Sequence, residues 1–389
     1  MIDFHYWQLL LFPLFFVFGW AAARIDIQHL VRESRALPRS YFQGLNFLLN
    51  EQPDKAIESF MNVVKVDPET VELHFALGSL FRRKGEMERA IRMHQNLIDR
   101  EGLPNDLKLQ AMSELGQDYL KAGLLDRAEE IFLRLRASSR DEEAKRNLLE
   151  IYQLEKDWEK AIAIGEEMPE YATQKEIAHY YCELAGTEMI NSRPENARRY
   201  LDQALALHRS CVRASVIQGD LLVQEGQDEG AIEAWQHIEH QNPAYLALVA
   251  QKLQEAYLRL GRRDEGLQLL RGYLAAYPSL DLLDTVFRLV LEGEGPEAAY
   301  RLVRDELRRN PTLLGLDKLL EAQVLVVAPE RRADLELVRN LVHNHTRRLA
   351  RYRCDNCGFK ARQFYWRCPA CGGWETYPPR RSEEFDLLP

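Results

Sequence analysis

Four cysteines near the C-terminus form the pattern in this chain that carries the most chemical information. Cys354 and Cys357 make one Cys-x-x-Cys pair, and Cys368 and Cys371 make a second pair after ten intervening residues. Two such pairs are the spacing at which proteins hold a tetrahedral metal ion through thiolates. Because the protein fills all four positions, no position is left for water or substrate. The spacing therefore predicts a structural metal site at Cys354, Cys357, Cys368 and Cys371, with no catalytic metal.

The residues between and after the cysteines favour a particular kind of turn. Gly358 and Gly372 directly follow the second cysteine of each pair, where such a turn needs a positive φ, and Pro369 stiffens the second turn. A site of four thiolates accepts zinc or iron, and zinc is the more common structural ion. The motifs Cys-x-x-Cys-Gly-Phe and Cys-Pro-x-Cys-Gly resemble the knuckles of rubredoxin, which hold one iron. The linker between the two cysteine pairs is far shorter here than in rubredoxin. We therefore predict a rubredoxin-like domain over residues 351–379, with iron or zinc as its ion.

The segment around the cysteines is basic and aromatic. Nine Lys or Arg lie between Thr346 and Arg381, against only Asp355 and Glu375. Four thiolates around a divalent ion carry a net charge of −2, which this basic surround can offset; nucleic acid or anionic lipid is a competing explanation. The aromatic residues are expected to form a small core rather than a platform for stacking bases: Tyr352, Phe359, Phe364, Tyr365, Trp366 and Trp374.

Composition narrows the class of protein. The chain has 389 residues, 46% of them hydrophobic, and a net charge of −9, which argues against a general nucleic-acid binder. Clustering of four of the six cysteines indicates metal binding in a reducing compartment, since a disulfide-stapled domain would spread them out. Cys182 and Cys211 stand alone in predicted helices and are interpreted as core residues.

An internal period of about 34 residues, typical of tetratricopeptide repeats, runs through the body of the chain. In the clearest copy Leu77-Gly78 is followed by Phe81, Ala90 and His94; the small residues mark close helix crossings, and the large ones fill the gaps. Seven further copies are recognised by Gly44, Phe47, Ala56 and Phe60; Leu115-Gly116, Tyr119, Ala128 and Phe132; Tyr152 and Ala161; Ala185 and Ala197; Gly219, Ala231, Trp235 and Pro243; Tyr257, Gly266 and Pro278; and Phe287, Ala299 and Pro311.

These copies predict an all-α tetratricopeptide-repeat superhelical solenoid of about eight repeats over residues 37–311. Turns such as Lys84-Gly85-Glu86 separate the two helices of each pair. Residues 312–350 are predicted to form two capping helices, Leu313–Leu325 and Ala333–Leu349, and residues 380–389 form a tail.

Such a solenoid binds peptides and other proteins on the concave surface made by the first helix of each pair. Arg82, one position after Phe81, would point toward this concave surface in the usual geometry, but we interpret it as a solvated helix charge. His343-Asn344-His345 is interpreted as polar surface. The sequence has no P-loop, dinucleotide-binding glycine pattern, nucleophile elbow or His-Glu-x-x-His motif, so we predict no catalytic residue and no enzymatic activity.

The N-terminus predicts a membrane anchor. The stretch Phe4–Ala23 contains a strictly apolar run from Leu9 to Ala23 and reaches about 20 residues, the length needed to span a bilayer core. The following residues 24–36 form a juxtamembrane linker that carries Arg24, Arg32 and Arg35, which predicts a periplasmic N-terminus and a cytoplasmic body. A signal peptide cleaved at Ala21-Ala22-Ala23 is the alternative, but positive charge before the apolar run is missing. We therefore predict an uncleaved single-pass anchor over residues 1–23.

The order of the predicted features, an N-terminal anchor, a repeat array and a C-terminal cysteine knuckle, is similar to that of one known family. The resemblance is carried by Asn46-Phe47-Leu48-Leu49 with Asp54-Lys55-Ala56-Ile57, by Leu77–Arg82 with Arg89–Gln95, and by Tyr352-Arg353-Cys354 through Trp374. On these residues the chain resembles the lipopolysaccharide assembly protein B family of Gram-negative bacteria, over nearly its whole length.

The resemblance implies an inner-membrane adaptor that regulates lipopolysaccharide biosynthesis. Members of that family promote degradation of the UDP-acyl-N-acetylglucosamine deacetylase of lipid A synthesis by a membrane-bound AAA metalloprotease. They also connect to other membrane proteins of lipopolysaccharide assembly. By family precedent, the four cysteines hold one iron ion.

Two other functions compete with the adaptor. One is electron transfer by a rubredoxin-like iron site, although no flavin or nicotinamide fingerprint accompanies it. The other is RNA binding by a zinc ribbon, motivated by the nine basic residues and opposed by the acidic body of the chain. A nucleic-acid partner is therefore not expected.

Overall fold

The computed structural model describes residues 39–66, 70–347, 351–381 and 383. The predicted anchor at residues 1–23 and the linker at residues 24–36 lie outside these residues. Within the described part of the chain, no helix is both long enough and apolar enough to cross a membrane. The chain divides into two compact units, residues 1–155 and 156–389.

The first unit is helical throughout its described residues. Consecutive helices pack against one another within the unit. Its helices are α1 (Arg39–Leu49), α2 (Pro53–Val66), α3 (Val71–Lys84), α4 (Met87–Ile98), α5 (Asn105–Lys121), α6 (Leu125–Leu135) and α7 (Asp141–Glu155).

The second unit continues the helical repeats and ends in a small two-stranded domain. Its helices are α8 (Trp158–Glu166), α9 (Gln174–Ile190), α10 (Pro194–Leu207), α11 (Val212–Gln224), α12 (Asp228–Gln236), α13 (Ile238–Gln241), α14 (Leu246–Arg259), α15 (Arg263–Ala276), α16 (Leu280–Glu294), α17 (Pro296–Arg309), α18 (Leu313–Val326) and α19 (Pro329–Thr346). Strands β1 (Tyr352–Arg353) and β2 (Lys360–Ala361) pair antiparallel. The all-α repeat fold with a C-terminal four-cysteine knuckle is confirmed.

The repeat pattern has a direct steric basis in both units. A Cβ atom added at Gly78 would lie 2.3 Å from Nε2 of His94, and one at Gly219 would lie 2.2 Å from Nε1 of Trp235. Gly44 faces Phe60 and Gly116 faces Phe132 in the same way. The first helix of these pairs therefore carries glycine because the second helix inserts a large ring at the crossing.

The turns within the helix pairs also follow the sequence. Gly85, Gly123, Gly226 and Gly261 all have positive φ angles between 71° and 85°, as the polar turns between paired helices predict. At the first of these turns the N–H of Gly85 donates to the carbonyl of Arg82, and the N–H of Glu86 donates to that of Phe81. These bonds satisfy the last carbonyls of α3 and let α4 begin directly afterwards.

The sequence predicts Arg82 to be a solvated helix charge, but its environment in the structure is different. Its guanidinium is largely buried and forms ion pairs with Glu114 at 2.6 Å and Asp118 at 2.7 Å, both on α5. The fully buried Asp118 also lies 2.5 Å from Nδ1 of His94. The prediction was wrong because the charged partners of Arg82 lie one repeat further along the chain. The sequence of the helix that carries Arg82 does not indicate them.

Two other features of the second unit qualify the sequence interpretation. Cys182 and Cys211 are buried core residues, as predicted, but they do not stand alone, since their sulfurs are 3.9 Å apart. The capping helix α19 begins at Pro329 and leaves Leu337, Val338 and Leu341 exposed. His343 and His345 lie on its exposed surface, where His343 contacts Asp317.

Candidate metal centre

The four predicted ligands converge on one point. The sulfur atoms of Cys354, Cys357, Cys368 and Cys371 all lie within 4.8 Å of one another. Two of the separations are 3.8 Å (Cys354–Cys371) and 3.7 Å (Cys357–Cys368). A tetrahedral ion with metal–sulfur bonds of about 2.3 Å requires sulfur separations of about 3.8 Å, so the arrangement fits one ion bound by four thiolates.

The same turn is used twice to present the sulfurs. The N–H of Gly358 donates to the carbonyl of Cys354, and the N–H of Gly372 donates to that of Cys368, both at 2.9 Å. The two glycines have φ angles of 74° and 72°, as predicted from their positions after each pair. Residues with a Cβ are strained in this left-handed conformation, which explains glycine at both positions.

Electrostatics show why a cation belongs among these thiols. The N–H of Gly373 donates to the sulfur of Cys371, and this bond together with the side chain of Asn356 lowers the pKa of Cys371 to about 6. The N–H of Phe359 favours the thiolate of Cys357, yet partial desolvation and contacts with the other three sulfurs raise its pKa to about 12. Burial of Cys354 is outweighed by hydrogen bonds from Thr376 and the backbone, which lower its pKa, whereas burial raises the pKa of Cys368. The protein therefore favours ionisation of two thiols but not of all four together, whereas a bound divalent ion would stabilise four thiolates.

A small aromatic core supports the knuckle on its inner side. Tyr352, Phe359, Phe364 and Tyr365 pack with the two buried cysteines, as predicted. The centre of this core is Tyr377, a residue that sequence reasoning missed. Its hydroxyl donates to the carbonyl of Tyr352 at 3.1 Å and accepts from the N–H of Ala361 at 2.8 Å. Only its place in an aromatic-rich segment could have suggested it.

The two tryptophans of the knuckle have a different role from the predicted one. Trp374 is 6% exposed and stacks on His179 of α9 with ring centroids 4.9 Å apart. Trp366 stacks on Tyr245, just before α14, at 5.4 Å and an interplanar angle of 4°. Trp374 thus packs against repeat helices instead of completing the core of the knuckle, whereas Trp366 contacts both, since its ring also lies 5.0 Å from that of Phe364 in the core.

Polar contacts accompany the stacking of Trp374. Lys175 of α9 forms an ion pair with Glu375 at 2.7 Å, and Nε2 of His179 lies 3.1 Å from the same carboxylate. Burial disfavours the charged form of Glu375, but His179 and Lys175 outweigh it and lower the pKa of Glu375 to about 2. Burial also lowers the pKa of His179, more strongly than Glu375 raises it. At neutral pH we therefore expect Glu375 to be a carboxylate and the imidazole of His179 to be neutral.

A second set of contacts fixes the other side of the knuckle. Asp281 of α16 accepts from the hydroxyl of Tyr352 and pairs with Arg381, both at 2.6 Å. The carboxylate of Glu383 accepts from the N–H groups of Leu313 and Leu314, which are otherwise unpaired donors at the start of α18. The metal-binding domain is therefore an integral part of the second unit, attached at two separate places.

Family models match both parts of the chain. A rubredoxin metal binding domain matches residues 352–379. Tetratricopeptide repeats match residues 43–98, 113–174 and 187–243. Among solved structures, the TPR2AB domain of yeast Sti1 in its pHSP90 complex matches with 18% identity and a TM-score of 0.31, covering 68% of this chain and 95% of that chain.

Curated relatives extend over nearly the whole chain. Lipopolysaccharide assembly protein B of Escherichia coli K12 is 35% identical over 384 residues, covering 96% of this chain and 97% of the relative. The protein of the same name from Haemophilus influenzae is 31% identical, covering 96% and 98%. Both alignments include the repeats as well as the four-cysteine centre. The chain therefore belongs to the lipopolysaccharide assembly protein B family.

Proposed function

We propose that this chain is an inner-membrane adaptor that regulates lipopolysaccharide synthesis by promoting proteolysis of the lipid A pathway deacetylase. The observation that carries the proposal is the similarity to lipopolysaccharide assembly protein B along 96% of the chain, through repeats and metal domain alike. The described residues support a binding role, since their one cysteine cluster is a closed four-thiolate site without a vacant position for substrate.

The proposed mechanism is positioning. The repeats bind the membrane AAA metalloprotease, the deacetylase, or both, together with other membrane proteins of lipopolysaccharide assembly. An N-terminal anchor at residues 1–23, with its N-terminus in the periplasm and the body in the cytoplasm, confines the search to the membrane plane and raises the effective concentration of the partners. No residue of the chain needs to take part in bond cleavage.

We propose iron as the resident ion, on family precedent, with zinc as the alternative. When bound, the ion supplies four metal–sulfur bonds that hold the two knuckles together. The chain's own residues then hold the assembled knuckle on the repeats through Asp281, Lys175 and His179.

The proposal is tested by the half-life of the deacetylase in cells that produce variants of this chain in place of the native protein. Deletion of residues 1–23, or Cys354→Ser with Cys357→Ser, is expected to lengthen the half-life. Cys182→Ala is the matched control, because it removes a thiol from the repeats and leaves the metal site intact. An unchanged half-life in both the deletion and the double variant would refute the proposal.

One observation favours electron transfer as a second candidate. Cys357 and Cys371 are exposed, so one edge of the metal site faces solvent and is open to a redox partner. This candidate predicts a reversible one-electron couple in iron-loaded protein. If zinc-loaded protein supports deacetylase turnover fully, electron transfer is not the function.

A further inference from the structure

Trp374 and Glu375, here called the tip, extend from the metal knuckle into a site on the repeats. This α9–α11 site is defined by Lys175 and His179 on α9 and Arg213 on α11, which are the first helices of two neighbouring repeat pairs. We infer that it is a peptide-binding site for an aromatic residue followed by an acidic residue, and that the tip fills it as an internal ligand. This inference does not depend on a role in lipopolysaccharide synthesis.

The α9–α11 site contacts both side chains of such a ligand, the acidic one and the aromatic one. Lys175 neutralises the carboxylate of Glu375 at 2.7 Å. The indole of Trp374 lies on the ring of His179, with the guanidinium of Arg213 5.6 Å from the indole centroid. The rings of Trp158 and Tyr180 pack against the indole at steep angles, with centroids 6.1 Å and 6.0 Å away. Stacking, cation–π contact and an ion pair together select an aromatic–acidic sequence.

The internal ligand does not satisfy the site completely. Within the described part of the chain, Nε1 of Trp374 and Nδ1 of His179 are buried without a hydrogen-bond partner. Glu375 also has a φ of 49°, a conformation that residues with a side chain rarely adopt. Unpaired buried groups and an unfavourable backbone weaken the contact, so a competing segment with better hydrogen bonding can displace the tip.

The metal site determines whether the tip is presented. Trp374 follows Cys371 by three residues, and the N–H of Cys368 donates to the carbonyl of Gly373 at 2.9 Å. The ion therefore orders the turn that carries the tip. Contacts of Asp281 with Tyr352 and Arg381 hold the other side of the knuckle independently. Loss of the ion is thus expected to release the tip and empty the α9–α11 site.

The experiment measures binding of a fluorescent peptide to the full-length chain in detergent by fluorescence polarisation. The probe has the sequence of residues 366–377 with serine in place of both cysteines. We expect the peptide to bind metal-depleted protein at least about tenfold more tightly than metal-loaded protein. Peptides with the changes Trp374→Ala or Glu375→Gln should lose this binding.

Protein variants separate release of the tip from unfolding of the knuckle. Glu375→Lys keeps all four cysteines and is expected to bind the peptide even with metal bound, because it opposes Lys175. Adding Lys175→Glu should abolish that binding, whereas adding Lys160→Glu, a control at a half-exposed lysine of α8, should not. The inference is overturned if neither metal-depleted protein nor Glu375→Lys binds the peptide more tightly than the native metal-loaded protein. Equal binding with and without Lys175→Glu would overturn it as well.

Discussion

At the scale of single residues, His179 illustrates how burial and charge oppose each other beside the metal domain. Its ring is fully buried between Trp374 and the repeats and faces Glu375, Lys175 and Arg213. Desolvation of the imidazolium and the two cations lower its pKa, whereas Glu375 alone raises it. The native state therefore binds a proton at this position less readily than the unfolded chain does.

This difference predicts a loss of stability in mild acid. Below the usual histidine pKa of 6.5, the unfolded chain takes up a proton that native His179 resists, so stability falls as pH decreases. Glu375 contributes fully above its usual pKa of 4.5 and loses its contribution only as pH falls towards about 2. We expect the melting temperature to decrease between pH 8 and pH 5.5 more in the native protein than in His179→Phe. Parallel curves for the two proteins would contradict this assignment.

A second prediction at this scale concerns the thiolates. The purified protein is expected to hold about one metal ion per chain, and Cys371→Ser should lose most of it because three thiolates leave one position open. Cys182→Ala should retain the full amount, since Cys182 is a core residue of α9. Metal analysis by mass spectrometry of all three proteins checks this. Full occupancy in Cys371→Ser would mean that the ion is held differently.

Residues that act through local spacing could be predicted from the sequence, and residues that act across the fold could not. The cysteines and the glycines after them lie within nineteen residues, so their turns are visible in the sequence itself. Lys175 and His179 lie almost two hundred residues before Glu375, and no local pattern connects them. The same separation concealed the contacts of Trp366 and Trp374, which were assigned to the core of the knuckle.

At the scale of the helices, each pair is specified by a small residue facing a large one. Trp235 of α12 fills the space over Gly219 of α11, is 2% exposed, and donates its indole N–H to the carbonyl of Val216 at 3.2 Å. The repeat could be recognised because this relation recurs at nearly constant spacing. In the copy that has Ala185 in place of the glycine, Leu201 stands at the position of Trp235, and both residues are buried.

The crossing of α11 and α12 gives a stability prediction. Gly219→Ala would place a Cβ 2.2 Å from Nε1 of Trp235, so we expect a loss of about 1–3 kcal/mol in the free energy of unfolding. Gly230→Ala on α12 is the matched control. Its Cβ would meet only Leu222 at 3.6 Å, so helix propensity should stabilise the protein by about 0.5–1 kcal/mol. Chemical denaturation distinguishes the two; equal effects would contradict the packing argument.

At the scale of the whole molecule, the chain combines a repeat scaffold with a metal domain that is built onto it. Asp281 on α16 and Lys175 and His179 on α9 attach the domain to two repeat helices within the second unit. The sequence identified both parts and their order, but it did not show this attachment, which depends on tertiary contacts. Within the family, the combination of repeats and metal domain is what connects this chain to lipopolysaccharide assembly.

The most direct test of the proposed role is a reconstituted degradation assay. The membrane AAA metalloprotease and the deacetylase are combined in proteoliposomes, and the rate of deacetylase loss is measured with and without this chain. The adaptor proposal predicts faster loss with the full-length, metal-loaded chain and little acceleration when residues 1–23 are deleted. A rate that does not change when the full-length chain is added would contradict it.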